Sequence, residues 1–469
     1  MAEEPGEAQE KAETASWRPA LIIVLALSLS VAVFFHLFHL NSHYFHTWYW
    51  QRAPVRPLAA MFAVAAVPFF AGQWVFWRWR RTAPALVLIM ASMLGMMLAG
   101  AAAQRDPPSL HRIVDVEVNW DTGYFQAAQI LHDKPIRQWL ADYPQLQERL
   151  TLHPRTKPPG LVLFETILID LLGETRAAAM TAGLIVAVLG ACSVAATFAF
   201  VRYFTGSTAA AFCAASYFAL CPGPVLIFPD FDQCYPILTF AITVLWAEAL
   251  RKNRAAYSAA LGVLYGAVMF FTYLPIVLVV FLLGYAAMKS TWRRFARHAA
   301  VSVICFAGFN LALWFITGFN AVATFRECLR QVDVLWDILS KAGAPARHLP
   351  WTIPADLYDF ALGSGWVSFV LAVFYFWSWR RERDLARWRI CLLAIGQIFF
   401  VAFSGLIQGE TARLWIFLLP MLLMPVGLEL SRWRARDVVG LYAAMLILTV
   451  SVSHSMEFFL SAQVFRMEH

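Results

Sequence analysis

The chain has 469 residues, 60% of them hydrophobic and only 14% charged, with a mean hydropathy of +0.60. A soluble domain carries about 25% charged residues, so the composition excludes an ordinary water-soluble globule and calls for lipid as the solvent. The net charge of +7 does not point to nucleic acid, because the arginines gather in short loops between apolar runs, where they mark the cytoplasmic side of a membrane.

From the N-terminus, residues 1–17 are acidic and polar and lack the basic start of a signal peptide. They read as a cytoplasmic tail. Apolar runs then begin near Pro19, Leu58, Pro84, Ala177, Thr208, Tyr235, Ala256, Pro275, Ala299, Ala361, Ile390, Leu414 and Val438. A hydrocarbon core about 30 Å thick needs about 20 apolar residues per helix. Helices also satisfy their own backbone groups in lipid. The expectation is an all-α polytopic membrane protein with about 13 transmembrane helices.

Residues 18–83 supply two N-terminal spans, 84–318 a transmembrane core, 319–360 a second outer loop, and 361–469 the C-terminal spans. Basic clusters orient them: Arg78, Arg80 and Arg81; Arg251, Lys252 and Arg254; Lys289, Arg293, Arg294 and Arg297; Arg380, Arg381, Arg383, Arg387 and Arg389; Arg432, Arg434 and Arg436. Parity between these clusters makes 256–288 a hairpin that turns near Thr272–Pro275. It also lays 160–173 along the outer surface as an interfacial helix. The seven cysteines form no C-x-x-C pair, so neither a zinc nor a redox motif is expected.

Four polar features fall on the outer side. The loop 104–159 carries Asn119-Trp120-Asp121-Thr122-Gly123-Tyr124, with Asp121 at the expected N-cap of an amphipathic helix. It ends in His153-Pro154-Arg155-Thr156-Lys157-Pro158-Pro159-Gly160, where the prolines limit helix formation and hold Lys157 at the interface. The turn 228–236 contains Asp230, Asp232 and Gln233 between apolar runs. Near 408–415, Glu410 and Arg413 are three residues apart and would face each other on a helix. Each has a plain structural reading as a cap, a snorkelling lysine, a solvated turn or an ion pair. Their gathering on one face favours a site.

Taken in this order, the motifs resemble the GT-C superfamily of polytopic glycosyltransferases, among them the protein O-mannosyltransferases and the lipid A aminoarabinose transferase. The similarity runs from about residue 84 to 288. Three apolar runs precede the acidic loop where those families have one, and Asp121 is followed by Thr122 rather than an acid.

The resemblance implies transfer of a sugar, with inversion, from a polyprenyl-phosphate-linked donor to a hydroxyl of a glycan, lipid or protein acceptor. The active site would lie on the outer face of a bacterial inner membrane. It implies Asp121 as general base, Asp232 as an acceptor-orienting residue or metal ligand, and Lys157 and Arg413 on the donor phosphate. His153, Arg155, Gln233 and Glu410 would support them. A divalent cation is left open, and no other cofactor is implied. Arg326, Arg330, Lys341, Arg347 and His348 of the second outer loop read first as solvated charges. The competing classes are a transporter or lipid flippase, which would show matching halves and mid-membrane polar residues, and a non-catalytic scaffold, which would tolerate changes at Asp121 and Lys157.

Overall fold

The computed structural model describes residues 19, 22–28, 30, 49–50, 55–104, 107–118, 123–341, 349–378 and 384–457. Asp121, Arg347, His348, Arg380, Arg381 and Arg383 lie outside the described residues. The described chain is almost wholly helical, apart from a short antiparallel pairing of Tyr49–Trp50 with Met456–Glu457.

α1 (Val55–Trp79) and α2 (Thr82–Ala103) pack together, and the Ser92 hydroxyl donates to Ala65 O at 2.7 Å. The stretch expected to be the first outer loop is built from short helices: α3 (His111–Glu117), α4 (Tyr124–His132), α5 (Ile136–Ala141), α6 (Tyr143–Leu146) and α7 (Leu152–Arg155). α8 (Gly160–Leu172) follows, with Ile167, Leu171 and Leu172 exposed. At about 1.5 Å per residue its 13 residues are too short to cross a bilayer.

α9 (Arg176–Thr205) starts at Thr175, whose hydroxyl accepts from Ala178 N, and ends at Gly206 in the left-handed region. Ser207 caps α10 (Thr208–Phe218) in the same way. Then come α11 (Pro222–Leu226), α12 (Tyr235–Lys252) and α13 (Ala255–Phe271). The chain breaks at Thr272, passes through a 3-10 turn at Leu274–Leu278, and continues as α14 (Val279–Lys289).

α15 (Trp292–Thr317) is peripheral, with His298 its one buried side chain. The stretch expected to be the second outer loop holds α16 (Ala321–Lys341) and α17 (Thr352–Ser364). The chain ends with α18 (Val367–Trp377), α19 (Leu385–Ser404), α20 (Thr411–Leu414), α21 (Leu419–Leu430) and α22 (Ala435–Ser455).

Seven helices among the described residues are long and apolar enough to cross a membrane: Pro57–Trp79, Thr82–Ala103, Arg176–Thr205, Phe231–Lys252, Trp292–Thr317, Leu385–Ser404 and Ala435–Ser455. The pair α17 and α18, bent by 101°, makes an eighth if it is one broken span. Four further apolar runs of the sequence form the shorter helices Thr208–Phe218, Ala255–Phe271, Leu274–Lys289 and Ile416–Leu430. These segments are interrupted or flanked by Pro222, Pro275 and Pro420, which remove helical N–H donors.

The shortest of them lie at the centre. Every residue of α21 is buried, as is α10 from Ala210 onward, as expected of helices apolar on all sides. A Cβ on Gly427 would stand 2.2 Å from Ala210 O, so α10 and α21 meet backbone to backbone.

Candidate functional site

The Pro-rich segment is held from behind by α6 and the turn after it. Tyr143 Oη lies 3.2 Å from both Pro154 O and Lys157 O, and Gln147 Nε2 donates to Arg155 O at 3.1 Å. The same amide is 3.4 Å from Lys157 O and 3.0 Å from Cys328 Sγ of α16. These contacts fix the backbone of 154–157. The partly buried Lys157 side chain then shares its surroundings with Asp232, Arg413, Asp230 and Glu410. Burial holds the Lys157 ammonium below its usual pKa, and Asp232 is the leading opposing charge. His153 is pushed down to about 4 by burial and by Arg413, so its ring is neutral at neutral pH.

Arg413 is the centre of the cluster. Its guanidinium pairs with Asp230 through Nη1 and with Glu410 through Nη2, and Nη1 is also 3.6 Å from Asp232 Oδ2. The Arg413, Asp230 and Asp232 side chains are 6%, 9% and 6% exposed, while Glu410 is 33% exposed. Three acids around one buried cation are tolerable because each is engaged by it, and Lys157 stands near all three. Segments from three distant parts of the sequence, 153–157, 230–232 and 410–413, therefore meet in one place.

Glu117 of α3 and Glu165 of α8 extend this site. Both are buried, and Glu117 Oε1 and both Glu165 oxygens have no hydrogen-bond partner. Burial, then Glu165, then Asp230 raise the Glu117 pKa well above the carboxylate range, and burial pushes Glu165 to about 8. A carboxyl that keeps its proton on folding stabilises fully below its unfolded pKa, and that contribution is lost as pH rises through the folded one.

Between about pH 5 and 8 the purified protein is therefore expected to lose stability, by up to about 1.4 kcal/mol per pH unit for one proton. Glu165→Gln should flatten that profile. Denaturation temperatures in detergent across the range check this, and parallel profiles for variant and wild type would remove Glu165 as the source.

Five of the residues singled out in the sequence come together: His153, Lys157, Asp232, Glu410 and Arg413. Two others do not join them. Arg155 ends α7 and turns back, so that Nη2 donates to Leu150 O at 3.1 Å. Gln233 is buried against Gly190 of α9, and its carbonyl accepts from the Ser193 hydroxyl at 2.6 Å. The expected cap at Asp121 lies outside the described residues. α4 starts at Tyr124 and its N-cap is Gly123, in extended conformation with no side chain to offer.

Sequence reasoning named Asp230 beside Asp232 in the acidic turn without giving it a role, and it gave none to Glu117, Glu165, Asp356 or Asp359, the last two of which hold the Arg413 turn. Among these, the two-residue spacing of Asp230 and Asp232 between apolar runs was a usable signal. Among the described residues no three His, Cys, Asp or Glu side chains are grouped to hold a metal ion.

An apolar groove of about 820 Å³ lies between α18, α19 and α21, lined by Phe369, Val373, Phe376, Trp377, Ile398 and Leu422. Trp377 and Val373 are exposed at its edge, on a surface with the composition of a lipid-facing wall. No known family profile matches the chain, and no curated protein matches it.

Proposed function

We propose that the protein is a membrane glycosyltransferase of the GT-C type, which moves a sugar from a polyprenyl-phosphate carrier to an acceptor hydroxyl on the outer face of a bacterial inner membrane. In this reading the four shorter apolar stretches cross as helices continued by the turns and short helices beside them, such as Thr208–Phe218 with Pro222–Leu226, and the first apolar run also crosses, giving about thirteen passages. The observation that carries the reading is the meeting of 153–157, 230–232 and 410–413 around Arg413 and Lys157. Two cations beside several carboxylates suit a lipid phosphate that gains charge as it leaves, next to acids that handle hydroxyl protons.

The acceptor oxygen attacks the anomeric carbon as the bond to the phosphate oxygen breaks. The electron pair leaves on the phosphate, and Asp121 takes the acceptor proton. Lys157 and the Arg413 guanidinium face the departing phosphate, whose oxygens match the arginine fork. Because Glu410 is the most exposed partner of Arg413, it is the carboxylate the phosphate would displace. Asp232 orients the acceptor. The apolar groove matches the carrier chain in polarity and, since lipid is equally apolar, would hold it by packing and not by removal from water.

The testing experiment incubates the purified protein with radiolabelled polyprenyl-phosphate sugars differing in the sugar. Retention of one donor in a complex, or loss of its label to water, is the expected result. Indifference to every donor would sink the reading and favour a transporter or scaffold.

A further inference from the structure

Arg413 follows a turn that an unassisted chain would not hold. Gly409 and Glu410 are both left-handed, with φ 69° and 48°. For a residue with a side chain this conformation is strained, and it persists only where the surroundings over-determine it.

The surroundings here are two buried acids of α17. Asp356 Oδ1 accepts from Gly409 N at 2.8 Å, and Asp356 O accepts from the Thr411 hydroxyl at 2.5 Å. Asp359 Oδ2 accepts from Ala412 N at 2.8 Å and lies 3.3 Å from the same hydroxyl. Asp356 and Asp359 are 3% and 1% exposed. The backbones also touch. A Cβ on Gly363 would stand 2.9 Å from Ala412 Cα, and one on Gly223 would stand 2.8 Å from Ala412 O. Gly223 opens the stretch that leads to Asp230, so one contact point joins the supports of both halves of the ion cluster.

The leading charges on Arg413 are Glu410, Asp230 and Asp232. Asp356 and Asp359 reach it through the backbone of its turn. Resting on the function proposed above, we infer that Asp359, with Asp356, is a positioning residue: it holds the 409–412 turn by accepting its N–H and O–H groups, and so aims the guanidinium at the lipid phosphate. What the role requires is an acceptor oxygen and not a charge.

The test measures binding of a short-chain polyprenyl phosphate, which carries the phosphate and no sugar, to the full-length protein in detergent. Asp359→Asn keeps an acceptor oxygen and is expected to bind within about threefold of wild type. Asp359→Leu removes it and is expected to weaken binding by about 10–100-fold, the scale of losing a hydrogen bond to a charged group. Thr411→Val, nearly equal in size, removes the hydroxyl that meets the Asp356 backbone carbonyl and the Asp359 carboxylate and should cost about tenfold even if the leucine variant fails to fold.

A merely structural role would lower the denaturation temperature of the variants and leave affinity unchanged in the folded fraction, and that result overturns the inference. Equal loss in the asparagine and leucine variants overturns it too, because charge would then be the requirement. Failure of the wild-type protein to bind the phosphate would count against the proposed function itself and is read separately.

Discussion

Asp121→Asn is expected to reduce transfer from the lipid-linked donor by about 10²–10⁴-fold, the range for loss of a general base, and to leave the denaturation temperature unchanged. The residues around the segment carry this expectation. On one side, Val118 O accepts from Gln126 Nε2 at 2.9 Å. On the other, Gly123 O accepts from the Thr151 hydroxyl at 3.3 Å, and the Tyr124 ring stands edge-on to Phe231 with centroids 6.0 Å apart. Burial raises the Tyr124 pKa well above its usual value, and Asp230 and Asp232 add to it, so Tyr124 sits against the acidic turn.

Two residues separate Asp121 from Tyr124 in sequence, and a residue spans at most about 3.6 Å. Asn keeps the size and loses the basicity, so binding of the donor should survive while proton removal fails. The measurement is single-turnover release of label with the binding constant determined in parallel. Near-wild-type release would take Asp121 out of the role of base, and lost binding would make it a binding residue.

Much of the architecture is legible in hydropathy because lipid imposes a local rule: a helix facing it must be apolar along its length. The seven long helices follow that rule, and α8 could be set apart because charge parity on its two sides forbade a crossing. The helices inside the second outer stretch were hidden. α17 carries Asp356 and Asp359 on its buried side, so its polar residues signal loop in the sequence while they serve packing in the fold.

The candidate site divides in the same way. Glu410 and Arg413 could be paired from their spacing. The stronger partner, Asp230, lies 183 residues from Arg413, and no local pattern reports that contact. Glu165 looks like a polar interruption in an apolar helix, and its meaning depends on Glu117 and Asp230 arriving from other segments.

Replacing Arg413 with Met should affect both stability and turnover, and the two can be separated. Removing one partner of a buried ion pair costs about 3–5 kcal/mol, most of it from the charge left behind. Here Asp230 and Asp232, both nearly buried, would face each other without their cation, and of the two cations described at the cluster Lys157 would remain. Turnover should fall a further 10²–10³-fold, about the value of one preorganised charge on a leaving group.

The double variant Arg413→Met with Asp230→Asn removes one of the two stranded charges and leaves Asp232 to Lys157, so it should recover much of the stability and none of the turnover. Arg413→Lys should keep much of the stability through its charge but little of the turnover. A compact ammonium lacks the fork that spans Asp230 on one side and a phosphate on the other. Denaturation temperatures and single-turnover rates on the three variants decide the matter. If turnover returns with stability in the double variant, the guanidinium serves the fold alone and the phosphate is held elsewhere, with Lys157 the first residue to examine.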